Sequence, residues 1–317
     1  MERAHAHGVR ELAITDHNII SGVEAGERAA RERGVAFLSG VELSAVYGGR
    51  EIHILGYGFD PSRGGSGVRP SGPLFRYMED IQAHQRGWLR EVVALSRRHP
   101  IVVRDNGKRV AEIFLTEEET RRFSHAIPVV FHLAVLVKEK LDNLCPEFKD
   151  VPARHVVYFL FWRGDPAFIE KYEGLFAKYG IENRKHWDVE KDGMPLRTPA
   201  EVIAMLREER AFAAVAHPGE MRIGEREIAD LASVGLGGVE VYTPKHEPAH
   251  VRIYEGLSEK YGLLALSGTD YHDAHFRARV DFGRDREGLP LTRGASAVDI
   301  LKRALASSPS PSPKTEG

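Results

Sequence analysis

The sequence predicts an α/β protein built on a parallel sheet or barrel, with a mostly helical subdomain inserted into it. Short apolar runs alternate with amphipathic helical stretches from residue 1 to about 60, and the alternation returns near residue 196. Those runs are too continuously apolar for a sheet with one solvated face, which favours strands covered on both sides. Between the two regions the period changes to long, charged, helical patterns.

Taken in order, ERAHAHG reads as the end of a helix, VRELAITDH as a strand, and VEAGERAARERG as an amphipathic helix closed by Gly34. VAFLSGVELSAVY follows as a strand, and GGREIHILGYGFD as another after a Gly-Gly turn. The loop PSRGGSGVRPSGP marks a boundary, so residues 1–73 form the N-terminal part of the barrel. Residues 74–195 form the insert. It opens with the helix LFRYMEDIQAHQRGWLREVVALSRRH, passes through a hairpin turning at Asn106-Gly107, and continues with the helices VVFHLAVLVKEKL and FIEKYEGLFAKYG. In TPAEVIAMLREE, Thr198 caps a helix with Pro199 at its first position and Glu201 completing a capping box. The strands AFAAVAHPG, GGVEVYTP and LLALSGTDYH then alternate with the helices GEREIADLASVG and HVRIYEGLSEKYG, giving the C-terminal part of the barrel, 196–305. The Ser/Pro-rich residues 306–317 predict a disordered tail.

Composition narrows the class. The chain has 317 residues, 42% hydrophobic and 28% charged, with a formal net charge of −2. That balance gives no global attraction to nucleic acid or anionic membranes, so any phosphate recognition is local. One cysteine excludes an internal disulfide and suits a reducing compartment. No apolar run is long enough to span a bilayer, and the N-terminus lacks the apolar centre of a signal peptide, so the expected location is the cytoplasm.

Fifteen histidines are an excess whose meaning depends on position. ELAITDH ends in Asp16-His17, FLSGVE in Glu42 and AAVAH in His217. EIHIL carries His53, GGVEVY carries Glu240, and LALSGTDYH ends in Asp270 and His272. Strand ends of a β/α barrel or open α/β sheet converge on one crevice. Carboxylates and neutral imidazoles gathered there are good ligands for divalent cations. Each residue alone has a plainer reading: His17 as a helix cap, Glu42 as an ion-pair partner, His53 as a strand residue, and His217 as the lead-in to a turn. Their joint occurrence favours a metal centre, while Glu240 either ligates or orients a neighbouring ligand.

The motifs AITDHN, SGVELS, EIHILGYGFD, AVAHPGE, GVEVY and SGTDYH, in this order, resemble the PHP (polymerase and histidinol phosphatase) family, most of all its stand-alone phosphoesterases. The likeness covers about residues 9–60 and 196–285. It implies a distorted seven-stranded β/α barrel holding two or three divalent ions of manganese, iron or zinc. It also implies that Glu42 bridges two metals, one of them bound by His53 and His217 and the other by Asp270, with His17 and His272 on a third. Asp270, His272 and Glu42 are the expected catalytic groups, and Arg222, Lys245 and Arg277 are candidate phosphate contacts.

The family's opening Asp-x-His-x-His strand has no counterpart in this sequence. His5 and His7 form an H-x-H in a helical stretch, where residues two apart point in different directions. Either the start codon is assigned too far downstream, which is the favoured expectation because the six other ligand positions show no decay, or the chain is a degenerate member lacking one barrel strand. The expected function is metal-dependent hydrolysis of a small phosphomonoester or nucleotide-type phosphate. The alternatives are a non-catalytic metal-binding module and a short-oligonucleotide exonuclease. The basic tracts at 97–99 and 120–123 could contact a nucleic-acid backbone, but the plainer reading is a solvated helix face.

Overall fold

The computed structural model describes residues 1–317 apart from 65–70, 124–129, 162–165, 184, 190–192, 273–282, 285–290, 292 and 308–317. The chain divides into two compact units. One comprises Met1–Ile81, Pro195–His272 and the C-terminal helix, and the other comprises Gln82–Met194.

The first unit opens with α1 (Glu2–Ala6), β1 (Glu11–Ile14) and α2 (Val23–Arg31), whose exposed side carries the i,i+4 pairs Glu24–Arg28 and Glu27–Arg31. Strands β2 (Ala36–Tyr47) and β3 (Arg50–Tyr57) follow. Helix α3 (Pro73–Arg98) begins in this unit and ends in the second. The second unit adds the hairpin β4 (Ile101–Asp105) and β5 (Lys108–Ile113), then α4 (Glu117–Thr120), α5 (Val130–Leu144), α6 (Ala153–Leu160) and α7 (Pro166–Lys178). Its core centres on Phe148, Phe159 and Phe176, with Phe159 stacked on Phe176 at 3.9 Å between ring centroids. The chain returns to the first unit with α8 (Pro199–Glu208), β6 (Phe212–Val215), α9 (Glu225–Ser233), β7 (Gly238–Tyr242), α10 (Pro248–Tyr261), β8 (Leu264–Ser267) and α11 (Ala297–Ser307). Of the expected tail, residues 306 and 307 belong to α11 and the remainder lies outside the described residues.

Six strands form one curled sheet in the order β1-β2-β3-β6-β7-β8. The pairs β1/β2, β6/β7 and β7/β8 are parallel, but β3 runs antiparallel to both its neighbours. An all-parallel sheet is therefore not what forms. The reason is Gly48-Gly49, with φ of 56° and 77°. A two-residue turn of that left-handed kind joins antiparallel neighbours, whereas a parallel connection needs a crossover of about a dozen residues.

The alternation along β2 and β3 separates two faces. Val41, Leu43, Ile52 and Ile54 point to one face, and Gly56 there lies directly under Leu206 of α8. On the opposite face Leu55, Tyr57, Phe212, Ala214 and Leu266 pack with Ile300 and Ala304 of α11. Glu42, Ser44 and His53 share this second face, one step beyond the apolar cluster.

Candidate metal centre

Strand register explains how residues far apart in sequence reach one rim. His17 forms a parallel bridge with Glu42, prolonging the β1/β2 pairing past Ile14. Asn18 locks that prolongation. Its backbone N–H donates to Glu42 O (2.7 Å), its Nδ2 donates to Ser44 Oγ (3.0 Å), and its Oδ1 accepts from Ser44 N (2.9 Å). His53 lies opposite Ser44, and Ala216 N donates to His53 O, which sets His53 level with the end of β6. His53 is thus not near the C-terminal end of its strand. It reaches the rim because β3 is reversed.

Glu42 is the hub. It is 3% exposed; its Oε1 lies 2.8 Å from His53 Nδ1 and 3.2 Å from His217 Nε2, and its Oε2 lies 3.8 Å from His17 Nε2. Burial pushes its carboxyl up, but His17 and the hydrogen bonds from His217 and His53 outweigh this and hold it well below the usual range. Burial pulls His53 down, yet its bonds to Glu42 and to Glu51 raise it to about 9. Burial keeps His17 below its ordinary value in spite of Glu42, which favours the neutral imidazole that binds metal.

The donor set fits a divalent cation. His17, Glu42 and His53 each offer a ligand atom within 4.8 Å of the others, mixing imidazole with carboxylate, and His217 approaches the same carboxylate oxygen.

A second group adjoins the first. Asp270 Oδ1 is 3.3 Å from His272 Nδ1, and the His272 and His17 rings lie 6.1 Å apart, so the ends of β1 and β8 approach each other. Burial raises the Asp270 carboxyl, and Lys245 overcomes this to hold it low. Lys245, expected to meet phosphate, is instead largely buried and ion-paired with Glu220 and with Asp270 (2.5 Å). Arg222 is exposed on the turn after His217, and Arg277 lies outside the described residues. His5 is exposed, and His7 Nδ1 is spent on Arg3 O.

Two supporting residues stand out. Glu240, 5% exposed on β7, accepts from the backbone N–H of His217 (2.9 Å), and burial raises its carboxyl to about 7. A Cβ at Gly268 would lie 1.9 Å from Glu240 Oε1, so a side chain there would push the carboxyl out from beneath the segment that carries Asp270. His246, buried after β7, accepts from Gly219 N–H (3.0 Å) through Nε2 and bonds Val241 O (2.8 Å) through Nδ1, which fixes it as the neutral Nδ1–H tautomer. The sequence offered no sign of His246, and Asn18 showed only as part of a polar tail on a strand.

No protein-family model matches the chain. Among curated proteins it is 27% identical to the 3′,5′-nucleoside bisphosphate phosphatase of Chromobacterium violaceum, covering 92% of this chain and 87% of that one. It is 26% identical to the phosphoribosyl 1,2-cyclic phosphate 1,2-diphosphodiesterase of Eggerthella lenta, covering 86% of each. A 60-residue stretch is 47% identical to the 5′-3′ exoribonuclease of Haemophilus influenzae, 22% of that protein. Both of the longer matches are, by name, enzymes that cleave phosphate esters. They are hydrolases of phosphoric esters, consistent with a metal-dependent phosphoesterase. Two solved structures share the fold. One is a Bifidobacterium adolescentis protein assigned as a metal-dependent phosphoesterase (TM-score 0.60, 17% identity, 98% of this chain and 90% of that one). The other is a Chromobacterium violaceum amidohydrolase with bound sulfate (TM-score 0.57, 21% identity, 96% and 89%).

Proposed function

We propose that this chain is a metal-dependent phosphoesterase acting on a small phosphorylated substrate of nucleotide type. The observation that carries the proposal is the convergence of His17, His53 and His217 on one buried carboxylate, Glu42. In this reading His17, Glu42, His53, His217, Asp270 and His272 hold two or three ions of manganese, iron or zinc, and a seventh strand completes the barrel. A divalent cation bound there supplies Lewis acidity, lowering the pKa of water and offsetting charge on the phosphoryl oxygens.

The protein's own groups do the remaining work. Glu42 offers fixed negative charge on a rigid strand. Asp270, kept anionic by Lys245, accepts the proton of the attacking water, and the exposed His272 3.3 Å away keeps that carboxylate within reach of the solvent that takes the proton on. Arg222 and Arg277 are the fixed cations for the phosphate, and Lys245 joins them only by leaving a carboxylate partner.

The length of the likeness to the Chromobacterium relative makes a nucleoside 3′,5′-bisphosphate the first substrate to test. The short stretch shared with the exoribonuclease favours a second reading, cleavage at the 5′ end of short RNA. Phosphate or nucleotide release from bisphosphates, simple phosphomonoesters and short oligonucleotides, with Mn²⁺ and with EDTA, distinguishes them. EDTA-sensitive turnover supports the proposal. Tight cation binding with no turnover identifies a non-catalytic metal module, and no cation binding defeats both.

A further inference from the structure

We infer that Glu220 is a positioning residue for His217, and that through Lys245 it ties the His217 side of the centre to the Asp270 side. The inference rests on the metal-dependent reading above and concerns residues to which that reading gives no such role.

His217 is 3% exposed and sits at φ 26°, a left-handed backbone that a non-glycine residue keeps only when its surroundings hold it there. Glu240 fixes its backbone N–H, and His246 fixes Gly219 two residues on. Neither contact sets the ring. Nε2 faces Glu42 Oε1 (3.2 Å) and His53 Nδ1 (3.5 Å), so its lone pair must be free if it is to ligate. The proton then belongs on Nδ1, which is buried and makes no hydrogen bond among the described residues. Facing it at 3.4 Å is Glu220 Oε2. The turn that brings the carboxylate back is closed by Glu220 N–H donating to His217 O (3.0 Å). A metal-bound imidazole usually gives its second N–H to such a carboxylate, which sets tautomer and orientation, and contacts of this kind are often long before the ligand arrives. The same Glu220 carboxylate holds the Lys245 ammonium, whose other partner is Asp270 (2.5 Å). The row His217–Glu220–Lys245–Asp270 therefore joins candidate ligands from the ends of two strands that are not adjacent.

The test uses the full chain with ¹⁵N-labelled histidine. In EDTA at mildly alkaline pH, Glu220 is expected to hold a share of His217 as the Nδ1–H tautomer against Glu42, which draws the proton to Nε2. Glu220→Ala shifts His217 toward the Nε2–H form that unconstrained imidazole prefers, whereas Glu220→Gln, which keeps an acceptor oxygen, retains the Nδ1–H share. Titration calorimetry with Zn²⁺ should show about a 10- to 100-fold weaker tight site in Glu220→Ala, largely restored by Gln. Lys245→Met leaves the tautomer unchanged and strengthens the weaker cation site, because the ammonium no longer competes for Asp270. Circular dichroism confirms that each variant is folded. An unchanged tautomer and an affinity within about twofold in Glu220→Ala would overturn the positioning role, and weaker binding in Lys245→Met would overturn the link. If the tautomer shifts but the unaltered chain binds no divalent cation, the phosphoesterase reading fails while the positioning role stands.

Discussion

Metal and proton compete for His53, and the competition makes the stability of this chain fall with rising pH when it is free of metal and hold level when a cation is bound. His53 titrates at about 9 in the fold against an ordinary 6.5. In EDTA its protonated form stabilises the chain fully below pH 6.5, and that contribution, about 3 kcal/mol, is lost as pH rises through 9. Glu240 acts in the same direction. Its carboxyl is raised from 4.5 to about 7, so the fold favours its protonated form and loses stability across that interval as pH climbs. A cation must displace the His53 proton, so below pH 9 its apparent affinity rises by up to about tenfold per pH unit. At saturating metal this adds about 1.4 kcal/mol of stabilisation per unit. Urea denaturation in EDTA and in excess Zn²⁺ at about pH 6.5, 7.5 and 8.5 measures the gap between the two curves. The gap should widen by about 1.4 kcal/mol per unit, and calorimetry in buffers of different ionisation enthalpy should detect about one proton released near pH 7. A gap that stays flat or narrows refutes the assignment of His53 as a protonated ligand.

Glu240→Gln should flatten the fall in stability in EDTA between pH 4.5 and 7, and an unaltered slope would show that Glu240 is not the group titrating there. Gly268→Ala places a Cβ 1.9 Å from the Glu240 carboxyl and should cost about 2 kcal/mol or more. A double-mutant cycle with Glu240→Ala should recover part of that loss, and strict additivity would contradict the proposed clash. Asn18→Ala removes paired bonds to the buried Ser44 and should lower stability by about 1–3 kcal/mol while weakening cation binding; a fall in stability with unchanged metal affinity would separate Asn18 from the centre. Arg222→Ala should raise KM for a phosphomonoester with little change in kcat, and an unchanged KM removes Arg222 from the substrate site.

Much of the centre was legible because its donors follow apolar runs. Asp16-His17, Glu42, His217 and Asp270-x-His272 stand where a buried segment ends in groups that water would otherwise claim, and periodicity locates such ends without a structure. His53 was found for an incomplete reason: it sits inside EIHIL, and only the antiparallel course of β3 carries it to the rim. The sequence hid partners whose meaning depends on side-chain direction. Glu220 looks like part of an ordinary HPGE turn, and Lys245 in TPKHE looks like a surface cation until two carboxylates are seen around it. Asn18 and His246 act through the backbone of their neighbours, which no spacing reveals. The tracts suggested for nucleic acid are in part spent internally, Arg122 making a double contact with Glu139 (2.6 and 3.0 Å).

The β2/β3 hairpin runs on past the level of Glu42 and His53 to Gly48-Gly49, braced by Tyr47 against Asp230 (2.5 Å) and by Arg50 against Met221 O (2.9 Å). A ladder of this kind tolerates grafted residues at its tip but not within its arms. One added residue between Glu42 and the turn would rotate the carboxylate onto the side covered by α8 and leave three imidazoles without an anchor. For anyone redesigning specificity, loop grafts belong at Gly48-Gly49, and between there and the hub, length changes must come in matched pairs.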